Sequence, residues 1–183
     1  MVIVISLSLL LLGGERSVTN GLLAMPEKRP NQGLLMQNTP ALFFNPGNIE
    51  VGQGYAGETG GMYADRFAIF DSPQMGIRAI AKDISTKIDR HEGDLSKIIN
   101  QYAPPSENDT AKYLDFVQSS VGKDKVTKKD LPKVVEAIIK MENGPESDLT
   151  KMYLNENIFQ EALELSKLNL PSNTGLKEAR EMK

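Results

Sequence analysis

The sequence predicts a mainly α-helical domain of four to five helices behind a glycine-rich opening, and three observations carry that prediction. Apolar residues recur three or four apart in separate windows, as at Ile77, Ile80, Ala81, Ile84 and Ile88, which puts them on one face of a helix. Gly or Pro closes most windows, at Gly93, Pro104-Pro105, Gly122 and Gly144-Pro145. One short apolar run, Phe67-Ala68-Ile69-Phe70, suggests a strand, so any β-structure is expected ahead of Asp71.

The chain divides into four parts by composition. Residues 1–16 hold an apolar segment, Val2–Leu12, whose 11 residues would make a helix of about 16 Å, half a bilayer core. It is too short to span a membrane alone as a straight helix. A packed terminal element, a membrane-active segment and a cleaved signal all fit it, although no Lys or Arg precedes it. Residues 17–40 read as an extended linker, because Pro26, Pro30 and Pro40 exclude a long helix. Through that linker, Val2–Leu12 is expected to contact another copy, another protein or a membrane rather than the core around Ile77 and Ile138. Residues 41–170 form the helical domain, and the polar stretch 171–183 is a tail.

Within the domain, six glycines between Asn45 and Gly61 require tight turns or close backbone approach. Asn45-Pro46-Gly47-Asn48 is turn chemistry. Asp71-Ser72-Pro73-Gln74 then starts the first helix, with a cap, Pro in the first turn and Gln placed for a capping box. Asp94 caps a second helix with Leu95, Ile98, Ile99 and Tyr102 inward. A third, about Asn108 to Ser120, turns in Tyr113, Leu114 and Val117. A fourth starts at Asp130 and buries Val134, Val135, Ile138 and Ile139; a fifth, about Asn155 to Leu168, buries Ile158, Phe159, Ala162 and Leu163.

Composition removes several function classes. The net charge of −3 lacks the basic excess of chains that neutralise phosphates, so nucleic acid is disfavoured as the main partner. With no cysteine there is no disulfide, thiolate zinc site or thiol nucleophile, and one histidine leaves little for a triad or a multi-His metal site. Gly52, Gly54 and Gly57 match G-x-G-x-x-G, but no strong strand precedes them and no helical pattern follows. No metal or organic cofactor is implied.

Carboxylate chemistry remains. Glu58 stands alone among glycines in GYAGETGG, flanked by Tyr55, Met62 and Tyr63. A carboxyl beside aromatic side chains in a partly dry cleft can hold a proton and act as a general acid. Asp65 and Asp71 follow closely and could orient a water or stabilise an oxocarbenium-like state. A solvated loop residue or a helix-cap acceptor fits Glu58 as well. Glu142, in Met141-Glu142-Asn143-Gly144 at a helix end, reads as structural.

Four segments resemble one family. NPGNI (Asn45–Ile49), FAIFDSPQMGIRAIAKDI (Phe67–Ile84), IINQYAPPSENDTAKYLDFV (Ile98–Val117) and MENG (Met141–Gly144) occur in the order found in small phage virion proteins with prophage relatives and a lysozyme-like domain. The resemblance covers roughly residues 43–145, and YAPPSENDT is its most specific part. The family's Arg-Asn-Asn-Asn-Pro-Gly-Asn-Ile-Arg opening is altered, with Leu42-Phe43-Phe44 before Asn45 and Glu50 in place of the last Arg. It implies a virion protein delivered to the host envelope, with other virion proteins, further copies of itself and peptidoglycan as partners and membrane contact through Val2–Leu12. It further implies Glu58 as catalytic acid, Asp65 as assisting carboxylate, and Tyr55, Tyr63 and Asn48 as substrate contacts. Two classes follow, a wall-degrading glycosidase and a non-catalytic assembly or ejection protein on the same scaffold.

Overall fold

The computed structural model describes residue 41, residues 43–62 and residues 66–169. The expectations for Val2–Leu12, the linker, the tail, Tyr63 and Asp65 lie outside the described residues. The described chain opens with a turn, continues through a two-stranded hairpin and ends in helices. Strand β1 (Glu58–Met62) pairs antiparallel with β2 (Phe67–Phe70), Glu58 opposite Phe70 and Gly60 opposite Ile69, with an irregularity between them. Helices α1 (Pro73–Arg90), α2 (Leu95–Tyr102), α3 (Thr110–Val121), α4 (Leu131–Asn143), α5 (Asp148–Tyr153) and α6 (Glu156–Ser166) follow. The mainly helical class predicted from periodicity is the class observed, and the strands precede Asp71 as expected.

Helix α1 is the central element. It packs most extensively on α6, and also on α4, α2 and β2. Its stripe, Ile77, Ile80, Ala81 and Ile84, is wholly buried, and Ile98, Ile138, Ile139 and Leu165 join the same core. A buried cation crosses it: Arg78 Nε donates to the Leu165 carbonyl at 3.1 Å and Nη2 to that of Leu168 at 3.1 Å. Leu165 lies in the last turn of α6 and Leu168 just beyond it, where unpaired acceptors and the helix dipole favour a positive charge.

Most predicted caps form. Ser72 accepts from the Met75 N–H, Asp94 from Lys97 and Asp109 from Lys112, and Gly122 closes α3 at φ 77°. One reading is corrected. Gln74 makes no capping box, because its amide donates to Glu161 on α6 at 2.9 Å. Asp130 stands at the start of α4 as expected, and its carboxylate takes the Thr127 N–H and hydroxyl and Lys123 Nζ rather than a helix N–H. Those contacts, Lys123 first, hold its pKa down at about 2.

Helix α5 raises the count among the described residues to six, beyond the four or five predicted. Six residues are too few to show a stripe; a Ser147 cap and the buried Tyr153, whose hydroxyl donates to the Ala41 carbonyl, hold it in place. The glycine-rich opening also holds strand β1 where the sequence suggests only a loop. Its glycines supply no β-propensity, so pairing with β2 rather than local preference makes it a strand.

Candidate functional site

The site is built around the Asn45–Asn48 turn. Asn45 is fully buried and acts as a backbone surrogate: Nδ2 donates to the carbonyls of Ile49 (2.8 Å) and Ala68 (2.9 Å), and Oδ1 accepts the Ile49 N–H at 2.8 Å. One side chain thus closes the turn and pins it to β2. Pro46 and Gly47 then dock on the helices. Asn143 Nδ2 donates to the Pro46 carbonyl at 2.8 Å, and the Tyr102 hydroxyl donates to that of Gly47 at 2.6 Å. A Cβ on Gly47 would stand 2.5 Å from Ile80, and one on Gly76 of α1 would stand 1.7 Å from the Phe44 carbonyl oxygen. The turn therefore lies directly on α1, and only glycine permits the approach.

Asn48 follows in the left-handed region at φ 51°, which Asn tolerates better than most residues. It is buried at 7% exposure. Its Nδ2 donates to Glu142 Oε2 at 2.5 Å, while the Tyr113 hydroxyl donates to Glu142 Oε1 at 3.0 Å. Asn48 Oδ1 is buried and finds no partner among the described residues.

Between this turn, α1, the end of α2 and the Pro104–Glu107 corner lies a polar cleft of about 190 Å³. Asn48, Glu50, Gln53, Tyr55, Asp83, Lys87, Gln101, Tyr102 and Glu107 are among its lining residues. The Tyr55 hydroxyl donates to Asp83 Oδ1 at 3.4 Å, and burial together with the Asp83 charge pushes that hydroxyl's pKa up. Lys87 pairs with the same Asp83 oxygen and stands 5.8 Å from the Tyr102 ring centre. Arg66 spans two of the acidic lining residues, pairing with Glu107 and approaching Glu50 at 3.9 Å, with its guanidinium 5.0 Å from the centre of the Phe67 ring. Where the resemblance suggests Arg at position 50, the acidic Glu50 present here finds its cation in Arg66.

Of the predicted site residues, the structure brings Asn48 and Tyr55 together in this cleft. Glu58 is buried at 7% exposure as the first residue of β1, so it is neither a solvated loop residue nor a helix cap. Its Oε1 accepts the Gly52 N–H at 2.7 Å, its Oε2 is buried without a partner among the described residues, and its charge acts on the Tyr55 hydroxyl. It is not among the residues lining the cleft. Asp71 is exposed; its N–H donates to Gly57 and Oδ1 accepts the Ser72 hydroxyl at 3.0 Å.

Sequence reasoning did not place Asp83, Lys87, Gln53 or Gln101 in a site. Asp83 and Lys87 stand four apart on the polar side of α1, a spacing that in sequence reads as an ordinary helix ion pair. His91, at the end of α1, is not itself among the lining residues but meets Gln101 Oε1, a lining residue, at 2.7 Å through Nε2. Among the described residues no group of three or more His, Cys, Asp or Glu side chains is arranged to hold a metal, and no helix is long and apolar enough to cross a membrane.

No protein-family model matches the chain. A stretch of 108 residues is 33% identical to protein P5 of Pseudoalteromonas phage PM2, covering 55% of this chain and 68% of that protein. At that identity and coverage, the chain belongs to the bacteriophage protein family that includes protein P5 of phage PM2.

Proposed function

We propose that this chain is a virion protein whose helical domain binds the glycan strands of host peptidoglycan and opens the wall locally during genome delivery. The observation that carries the reading is the composition of the cleft. Two tyrosines, Tyr55 and Tyr102, stand with planar amides and carboxylates from Asn48, Gln53, Gln101, Asp83 and Glu107. Sugars present alternating apolar ring faces and hydroxyl edges, and a wall mixing aromatic faces with directional polar groups meets both. Membership in a phage protein family supports the virion role.

In this reading Glu58 is the general acid. The Gly52 N–H anchors one carboxyl oxygen, and Oε2, without a partner among the described residues, is the oxygen left to exchange a proton with the leaving group. Catalysis in this reading requires the Tyr55 loop to shift so that Oε2 meets a bound strand; Gly52, Gly54 and Gly57 all stand at positive φ in that loop. Proton transfer to the glycosidic oxygen accompanies C–O cleavage, and Asp83 on the cleft wall offsets the positive charge left on the sugar. Asp65 keeps its proposed role in orienting the attacking water, with Tyr63 as a further sugar contact.

The second reading, a non-catalytic assembly or ejection protein, is favoured by the placement of Glu58 off the cleft wall. A zymogram on native host wall separates the two. Clearing by the wild type that falls by about 10²–10⁴ in Glu58→Gln, with the circular dichroism spectrum unchanged, supports catalysis. Clearing retained in full by Glu58→Gln removes Glu58 as the acid. No clearing by the wild type leaves the structural reading.

A further inference from the structure

We infer that Asn48 is the specificity-determining residue of the cleft: its Oδ1 accepts a hydrogen bond from a neutral N–H or O–H donor on the bound glycan. The inference rests on the glycan reading above and adds what the cleft reads. An amide side chain can be turned either way, and its neighbours decide which end faces a ligand. Here Glu142 decides. Its two carboxylate oxygens take Asn48 Nδ2 at 2.5 Å and the Tyr113 hydroxyl at 3.0 Å, and Glu142 and Tyr113 are themselves buried. A carboxylate only accepts, so Nδ2 must face Glu142 and Oδ1 must face away. The backbone of Asn48 is held left-handed, between a fully buried Asn45 and the β-bridge residue Glu50 in the chain.

That leaves a buried acceptor without a partner on a residue lining a polar cleft. A buried polar atom left unbonded is costly, and a ligand donor relieves the cost where an acceptor or an apolar group cannot. Glu142 and Tyr113 are then positioning residues: they do not line the cleft but fix the polarity of the residue that does. The predicted structural role of Glu142 acquires a consequence for the ligand.

The test uses the full chain, labelled with ¹⁵N, titrated with chitotetraose and separately with cellotetraose. Chitotetraose carries acetamido N–H and hydroxyl donors, whereas cellotetraose carries hydroxyls alone. Binding that shifts the Asn48 side-chain amide resonances supports the inference, and a response to chitotetraose alone identifies the N–H as the donor. Asn48→Gly keeps the left-handed backbone and removes the acceptor, so affinity should fall roughly 2- to 10-fold, the worth of one neutral hydrogen bond. Glu142→Gln can donate as well as accept; it should move the Asn48 amide resonances in the free protein and weaken chitotetraose binding within the same range. Binding that leaves the Asn48 amide unmoved overturns the inference while glycan binding itself stands. No binding of either sugar overturns it too, and the zymogram then decides separately whether the wall is a substrate.

Discussion

The turn and hairpin, residues 43–72, and the helical bundle, residues 73–168, are held together by different physics. In the bundle, Ile77, Ile80, Ile84, Ile98, Ile138 and Ile139 are fully excluded from water, and non-directional apolar burial does most of the holding. The turn and hairpin also bury Ile49, Ala68 and Phe70, but the turn itself is fixed by amides: Asn45 replaces backbone partners, Asn48 is clamped to Glu142, and Tyr102 and Asn143 hold the carbonyls of Gly47 and Pro46. Hydrogen bonds have direction, so the turn fixes where individual atoms point, while the bundle fixes only where the turn sits. The cleft lies along their junction. A scaffold held by burial, carrying a directional polar loop, suits a site that must present polar atoms in fixed orientations.

The largest expected effect comes from separating the two regions. Gly76→Ala drives a Cβ into the Phe44 carbonyl, a backbone group that cannot swing aside, and should cost about 3 kcal/mol or more in urea unfolding. Loss of less than about 1 kcal/mol would mean that the turn does not rest on α1. Asn45→Ala comes next. It strips partners from Ile49 N–H and from the carbonyls of Ile49 and Ala68, and should cost about 2–3 kcal/mol while the helical circular dichroism signal survives. An equal loss of helix would show that turn and bundle unfold as one unit.

Gly122→Ala probes the bundle away from the junction. Gly122 caps α3 at φ 77° with open space around its Cβ position, so only backbone strain should register, about 1 kcal/mol, with sugar binding unchanged. The smallest effect is the Lys123–Asp130–Thr127 turn before α4. The folded pKa of Asp130, about 2, lies below the ordinary 3.8, so its contribution is fully present above pH 3.8 and is lost as pH falls through 2. Asp130→Asn should flatten the dependence of Tm on pH between 4 and 2, and leave the pH profile of any wall clearing near neutrality unchanged.

The bundle was legible in the sequence because its signals are local. Stripes such as Ile77–Ile88 and caps such as Ser72, Asp94 and Asp109 act within a few residues, and five of the six helices were placed from them. Helix α5 was missed because it is shorter than the pattern that would announce it, and β1 because its glycines acquire strand geometry only from β2. In the candidate site, Asn48 and Tyr55 were legible as turn and aromatic residues beside a glycine-rich loop. Asp83 and Lys87 were not, since a helix ion pair carries no mark of what it faces.

By itself the sequence determined the helical class, the absence of cysteine chemistry, the turn at Asn45–Asn48 and the helix stop at Pro104-Pro105, all properties of residues acting on their immediate neighbours. Only the tertiary structure decided that Glu142 meets Asn48 across 94 positions, that Glu58 turns one oxygen to Gly52 while Tyr55 takes the cleft wall, and that Arg78 satisfies the end of α6. The Glu142 and Arg78 contacts join residues far apart in the chain through groups that need a partner once buried. No local pattern specifies which partner that will be, because the choice is made when the apolar core brings the segments together.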